Sequence, residues 1–403
     1  PPRSTLFPYT TLFRSVMPTY DRRDVAFERG EGAYLFATDG RRYLDFCSGI
    51  AVTALGHAHP HLVATLKAQA EKLWHVSNLF RIPEGERLAA RLVENSFADT
   101  VFFCNSGAEA MEGGIKLVRK YHDVTGNPHR FRIIGCTQAF HGRTLTTLAA
   151  AGNEKYLKGF DPAMPGFDHV PFGNLNVLRD AITDETAAIL VEPVQGEGGV
   201  RAADIEYLRG LRAVCDEYGL LLFFDEVQSG MGRTGRLFAH EWAGIRPDVV
   251  ATAKGLGGGF PVGALLATEK AAVGMTFGTH GSTFGGNPLA MSVANAVLDV
   301  VLAPGFLERV QKRAELLHRR LAELVAAHPK IFVEVRGRGL LAGLRCGIEN
   351  GKVINALFEQ RLVVVGAADN VIRLLPPLTV EEEQIEEALA KLDAAARELA
   401  RHA

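Results

Sequence analysis

The chain has 403 residues, 47% of them apolar, with 44 basic against 46 acidic side chains and a formal net charge of −2. That length supports two domains around a sizeable core, and the charge balance excludes a nucleic-acid footprint and a disordered composition. The longest apolar runs are strand-sized, such as Leu220 to Phe224, far short of the roughly 18 residues of a membrane span, so no membrane association is expected.

Residues 1–15 repeat a Thr-Leu-Phe unit and follow neither a helical nor a strand period. They lack the apolar block of about 7–15 residues that a signal peptide needs. They read as a non-native tail, with the natural start near Met17. The five cysteines (Cys47, Cys104, Cys136, Cys215 and Cys346) are scattered, odd in number and never in a Cys-x-x-Cys pair. That usage fits a reducing cytoplasm rather than a disulfide framework.

Tyr34–Phe36 and Tyr43–Phe46, split by Asp39-Gly40, predict a hairpin. His57, His59 and His61 then alternate in Gly-His-Ala-His-Pro-His. Pro60 and the missing acidic or thiol partners favour a helix-opening turn over a metal site, and no metal is expected. From about Thr100 short apolar runs alternate with amphipathic segments, the pattern of a parallel sheet covered by helices on both faces. The expected strands are Thr100–Cys104, Phe131–Cys136, Ala187–Val191, Leu220–Phe224, Val249–Ala253 and Gly263–Ala267. Ligands of such sheets collect beyond the carboxyl ends of the strands. Polar residues do stand there: Asn105-Ser106-Gly107, Phe140-His141-Gly142-Arg143, Glu192, Asp225-Glu226 and Lys254.

Ser106-Gly107-Ala108 opens a helix, where free backbone amides and a hydroxyl form a phosphate cradle; Ser106 as a plain N-cap explains the same letters. Asp225 closes Leu-Leu-Leu-Phe-Phe-Asp, and a carboxylate at the mouth of a buried strand requires a cationic partner. The run also resembles a Walker B segment, but no Gly-x-x-x-x-Gly-Lys-Ser/Thr accompanies it. Gly230-Met-Gly-Arg-Thr-Gly235 matches a dinucleotide fingerprint by letter, yet it starts five residues past the strand and lacks the later acid. Lys254 follows an apolar strand and precedes Gly255, Gly257, Gly258 and Gly259. Desolvation there lowers a lysine's pKa and suits it to Schiff-base chemistry; an ordinary strand-end lysine in a glycine loop is the competing reading.

The C-terminal third predicts a long helix over Phe306–Ala327 and strands near Ile331–Val335, Leu340–Arg345, Val363–Val365 and Val371–Leu375. A last helix opens with Thr379 and Glu382 at capping-box spacing and carries a stripe from Ile385 to Leu399. Arg373 interrupts an apolar run: it points to solvent, or it is buried on a carboxylate from Glu192 or from a substrate. With the N-terminal segment, this third makes a smaller α+β domain.

Taken together, Gly49 to Pro60, Asn105 to Ala110, Phe140 to Thr144, Glu192 to Glu197, Asp225 to Gly235, Lys254 to Gly259 and Gly281 to Pro288 resemble the class III aminotransferases of fold-type I. The resemblance runs from about Met17 to the C-terminus. It implies an α/β fold with a large domain, a mostly parallel seven-stranded sheet between helices, and the smaller α+β domain. The division follows as 16–60 joining the small domain, 61–289 binding pyridoxal 5'-phosphate (PLP), and 290–403 completing the small domain.

By the same resemblance Lys254 holds PLP as a Schiff base and then moves the proton, and Asp225 pairs with the pyridine nitrogen. Val227 and Phe140 enclose the ring, Gln228 reaches its hydroxyl, and Ser106, Gly107 and Ala108 hold the phosphate, with Thr283 supplied by the second subunit of a homodimer. Arg143, with Ser282 from the partner, contacts the acyl side of the amine donor. Arg373 grips the α-carboxylate of 2-oxoglutarate or glutamate, and Glu192 masks that arginine when the other substrate binds. The implied reaction moves the δ-amino group of N2-acetyl-L-ornithine to 2-oxoglutarate. Neighbouring expectations are donors such as ornithine, succinylornithine, N-succinyldiaminopimelate or 4-aminobutyrate, and, in another class, a PLP aminomutase or decarboxylase. Phe80 departs from the pattern, standing where relatives often carry tyrosine.

Overall fold

The computed structural model describes residues 15–401, so nearly all of the expected tail lies outside the described residues. Seven strands form the central sheet: β1 Thr100–Cys104, β2 Arg132–Cys136, β3 Phe167–Val170, β4 Thr186–Val191, β5 Leu221–Asp225, β6 Val249–Thr252 and β7 Gly263–Ala267. Their order is β1-β7-β6-β5-β4-β2-β3, and β7 runs antiparallel to both its neighbours while the other pairs are parallel. Six of these strands match the expected apolar runs to within a residue or two. The seventh, β3, escaped because its Phe-Asp-His-Val mixes polar and apolar residues, as a partly exposed edge strand can.

The alternation of strand side chains divides the core between two helical layers. In β5, Leu221 and Phe223 pack with Met111, Ile115 and Val118 of helix α1 (Gly107–Val124). Leu222 and Phe224 face the other way, into a core shared with Leu208, Leu211 and Val214 of helix α2 (Ile205–Tyr218) and with the helix Pro288–Val301. Each such side chain contributes about 1.5–3 kcal/mol by leaving water. β4 to β7 are buried along their whole length, which explains why they read as continuous apolar runs.

Two smaller sheets flank this layer. Phe27–Glu31, Tyr34–Ala37 and Arg42–Asp45 form an antiparallel meander whose fourth strand, Leu362–Val363, comes from the C-terminal third. Phe332–Arg338, Leu341–Cys346, Val371–Leu374 and Val365–Ala367 form the other, antiparallel throughout. The single strand expected at Val363–Val365 is therefore two short ones serving different sheets, with the chain crossing between them at Val364. The last helix begins at Glu382 rather than at the expected Thr379 box. Glu381 is its N-cap, and the Gln384 side chain accepts from the Glu381 N–H at 3.0 Å. Thr379 instead donates its hydroxyl to the Leu55 carbonyl, tying the C-terminal segment to the N-terminal one.

Candidate functional site

Because β1, β2, β4, β5 and β6 point the same way, their carboxyl ends share one edge, and a cavity of about 430 Å³ opens there. Its walls include Ser106, Gly107, Ala108, Phe140, Arg143, Glu192, Asp225, Val227, Gln228 and Lys254. The fold thus gathers into one space ten residues that lie up to 148 positions apart in the chain, from Ser106 to Lys254.

Asp225 is the last residue of β5. Its Oδ1 accepts the Val227 N–H at 3.0 Å, and its Oδ2 accepts Nδ1–H of the buried His141 at 2.8 Å. His141 Nε2 is buried and has no partner. Two fixed donors orient the carboxylate. The sequence reading assigned no role to His141, whose only signal was its place in Phe-His-Gly-Arg after β2.

Lys254 follows β6, the neighbour of β5, and adopts a φ of 42°, a left-handed conformation that costs a lysine on the order of 1–2 kcal/mol. Among the described residues Nζ makes no hydrogen bond or ion pair, and burial pushes its pKa down, with Arg373 adding to the effect. Glu197, Asp225 and Glu192 oppose that shift. The outcome is an amine held in place by its backbone and readily deprotonated, as nucleophilic lysines require.

Ser106 is the N-cap of α1: its Oγ accepts the Glu109 N–H at 3.2 Å and donates to Glu109 Oε2 at 2.9 Å. The N–H groups of Gly107 and Ala108, in the first turn, have no partner among the described residues and belong to the cavity wall. A Cβ at Gly107 would stand 2.7 Å from Val227 Cγ1, so only glycine leaves this cradle open. The free amides suit an anion, apolar Phe140 and Val227 line the same cavity, and the Asp225 carboxylate there suits a cation; the residues present suit PLP.

Arg373 is buried on the strand Val371–Leu374, and its partner corrects the sequence reading. Both guanidinium ends meet Glu197, with Nη2 to Oε2 at 3.0 Å, while Gln228 Oε1 stands 3.4 Å from Nη1. Glu192 does not touch it. Glu192 directly follows β4, and its Oε2 accepts the Phe140 N–H at 3.1 Å. Between the two acids the chain turns back as a small hairpin, Val194–Gln195 against Arg201–Ala202, which carries Glu197 across to the C-terminal sheet. Gly196 lets the Gln228 side chain approach the hairpin closely, since a Cβ there would fall 2.0 Å from Gln228 Oε1. Burial and the adjacent Asp225 carboxylate raise the Glu192 pKa well above the usual range, so a second charge beside Asp225 is disfavoured.

The remaining expected residues sit elsewhere. Arg143 lies at the cavity mouth with its guanidinium 4.0 Å from the centre of the Tyr156 ring. Ser282 and Thr283 line a separate surface pocket with His75, Asn78 and Leu79, anchored by Asn78 Nδ2 donating to the Ser282 carbonyl at 3.0 Å. Phe80 is exposed in this region rather than lining the cavity. His57 and His61 diverge, to Asp45 and Asp299 respectively, while His59 is the N-cap of the helix Pro60–Ala70. The Gly230 to Gly235 segment is a turn packed on the C-terminal sheet.

Comparison with known proteins agrees with this geometry. The family model for class III aminotransferases matches residues 16–396. An acetylornithine aminotransferase of Brucella melitensis is 59% identical over 389 residues, covering 96% of each chain. Among solved structures, the N-acetylornithine aminotransferase of Stenotrophomonas maltophilia superposes with a TM-score of 0.85 at 38% identity, over 98% of this chain and all of that one. An amine transaminase from an uncultivated Pseudomonas species, solved in its PLP-bound form, gives 0.89 at 28% identity, over 95% and 97% of the two chains.

Proposed function

The chain belongs to the class III aminotransferases, PLP-dependent enzymes, and from that premise we propose that it transfers the δ-amino group of N2-acetyl-L-ornithine to 2-oxoglutarate. The observation that carries this reading is Arg373, buried, bound at both ends by Glu197 and touching Gln228 at the cavity wall. One pocket has to accept a donor whose reacting carbon bears no carboxylate and an acceptor whose reacting carbon does. With Glu197 on Arg373 that guanidinium is closed to the donor. When Glu197 swings aside, the guanidinium fork is open to the α-carboxylate of the keto acid. The role first expected of Glu192 thus passes to Glu197.

When bound, PLP supplies the electron sink that stabilises negative charge on the amine-bearing carbon. The protein does the rest. The Lys254 amine, its pKa lowered by burial, takes the proton from that carbon and returns it on the far side of the transfer. Asp225, fixed by His141 and the Val227 N–H, holds countercharge to a protonated ring nitrogen. Gly107 and Ala108 would hold the phosphate through their free N–H groups, Phe140 and Val227 would confine the ring, and Gln228 would bond its hydroxyl. Arg143 at the mouth contacts the acyl end of the donor.

A second copy of the chain completes the site in this reading. Leu79, Phe80, Phe277 and Phe284 are strongly exposed around the Ser282–Thr283 segment, an apolar patch of the kind that subunit contacts cover. A homodimer would bring Thr283 to the phosphate and Ser282 to the donor of the opposite protomer. The five unpaired cysteines support a cytoplasmic location.

The test is a set of half-reactions in which PLP-loaded enzyme meets each amine alone and the loss of the visible cofactor band is timed. N-acetylornithine should act fastest. A faster reaction with 4-aminobutyrate or free ornithine defeats the donor assignment, and no band loss with any amine defeats transamination.

A further inference from the structure

The Gly230-Met-Gly-Arg-Thr-Gly235 segment plays no part in the chemistry described so far, yet it carries one of the most buried side chains in the molecule. Arg233 is 2% exposed and, among the described residues, forms no ion pair. Its Nη1 instead donates to two main-chain carbonyls, Leu340 at 3.2 Å and Pro376 at a shorter distance, and its own carbonyl accepts the Leu340 N–H at 2.9 Å. A buried guanidinium without a carboxylate costs several kcal/mol, so its retention asks for a function.

Its partners supply one. Leu340 immediately precedes the strand Leu341–Cys346, and Pro376 follows the strand Val371–Leu374 by two residues. These strands are neighbours, with Gly343 opposite Arg373. One guanidinium therefore ties together the same end of the two strands that frame Arg373. The other end of the connection is equally firm. The loop bearing Arg233 starts at Asp225 and Gln228, and the buried Glu226 closes it by accepting from Ala239 N–H, His240 N–H, His240 Nδ1–H and the Ser229 hydroxyl, all within 3.0 Å. Contact between the layers is tight: a Cβ at Gly339 would lie 2.4 Å from Thr234 Cα.

We propose that Arg233 is a positioning residue that fixes Arg373 relative to Gln228 and the cavity, and so sets the preference for acceptors with a carboxylate beside the reacting carbon. It bridges the cofactor edge of the large sheet and the arginine-bearing strand of the C-terminal sheet. Guanidinium suits this task because its rigid plane fixes the directions of the two Nη1 N–H bonds, one to each carbonyl, whereas a freely rotating ammonium on a flexible stem sets no such plane. The inference rests on the reading of Arg373 as the carboxylate grip.

The experiment measures, in one enzyme preparation, kcat/KM for 2-oxoglutarate and for succinate semialdehyde, whose reacting carbon bears no carboxylate. Their ratio is independent of the fraction of active protein. R233M and R233K are compared with R373K. R373K should lower the ratio at least about 10-fold, R233M should lower it about 10-fold, and R233K should fall between R233M and wild type. Should R233M yield no folded protein, R233K decides alone. An unchanged ratio in the folded Arg233 variants, with R373K lowered, overturns the positioning role. An unchanged ratio in R373K overturns the carboxylate-grip reading and this inference with it.

Discussion

The two halves of the cavity are built in different ways. One half belongs to a single sheet edge: Asp225, Glu192, Lys254 and the Ser106–Ala108 turn each stand at the end of a strand in the same layer. The other half is assembled across layers, where Arg373 arrives on the C-terminal sheet, Glu197 on a hairpin and Arg233 on a loop between them. In the proposed function the first half holds the groups that any amine transfer needs, and the second holds those that choose which carboxylate is recognised. That reading places catalytic chemistry on rigid, local scaffolding and specificity where two layers meet at one ion pair.

This contrast can be broken experimentally, beginning with the largest effect. Lys254→Ala should lower turnover by at least about 10³-fold with every amine and acceptor, since it removes nucleophile and proton carrier together. The visible cofactor band should shift while thermal unfolding stays near that of wild type; substantial residual turnover would remove Lys254 from the mechanism. Asp225→Asn should cost about 10²- to 10³-fold in kcat, again without regard to substrate. A loss confined to 2-oxoglutarate would contradict the division between the halves.

Changes in the second half should discriminate. Arg373→Lys replaces a two-pronged contact by one, worth about 1.5–3 kcal/mol, so KM for 2-oxoglutarate should rise about 10- to 100-fold. The half-reaction with N-acetylornithine should move less than about threefold. Glu197→Gln removes the masking charge and should do the opposite on a smaller scale, slowing the donor half-reaction about 3- to 10-fold while leaving 2-oxoglutarate as good or better. Equal damage to both half-reactions would mean that Glu197 does not switch.

The smallest effect concerns Glu192. Burial beside Asp225 raises its pKa in the folded chain, so ionisation costs more there than in the unfolded one. Stability from this group is complete below the ordinary glutamate value near 4.5 and declines as pH rises toward the raised one. Glu192→Gln abolishes that decline. Denaturant midpoints of the variant and wild type should therefore diverge in favour of the variant as pH rises above the ordinary glutamate value near 4.5. A constant difference across that range would show that Glu192 titrates normally.

Much of the first half was legible in the chain itself. A strand buried on both faces must be continuously apolar, so β4 to β7 announced themselves, and the sheet rule then located Asp225 and Lys254 without knowledge of their neighbours. Edge strand β3 and the split strands at Leu362–Val363 and Val365–Ala367 did not, because short or half-exposed strands carry little periodicity. Nor did the identity of the acid on Arg373. Glu192 and Glu197 lie five residues apart in one motif, and the hairpin after Glu192 takes Glu197, not Glu192, across to the C-terminal sheet. The same holds for His141 on Asp225, 84 positions away, and for Arg233 on Pro376, 143 positions away.

What the sequence alone determined is the layered α/β architecture and the strand-end positions of Ser106, Asp225 and Lys254, because both follow from local pattern: strand period, helix start and the residue next after a strand. What the tertiary structure decided is pairing. Which carboxylate meets which cation depends on how separate layers dock, and the energy of a buried ion pair depends on angstrom-scale geometry that no local pattern encodes.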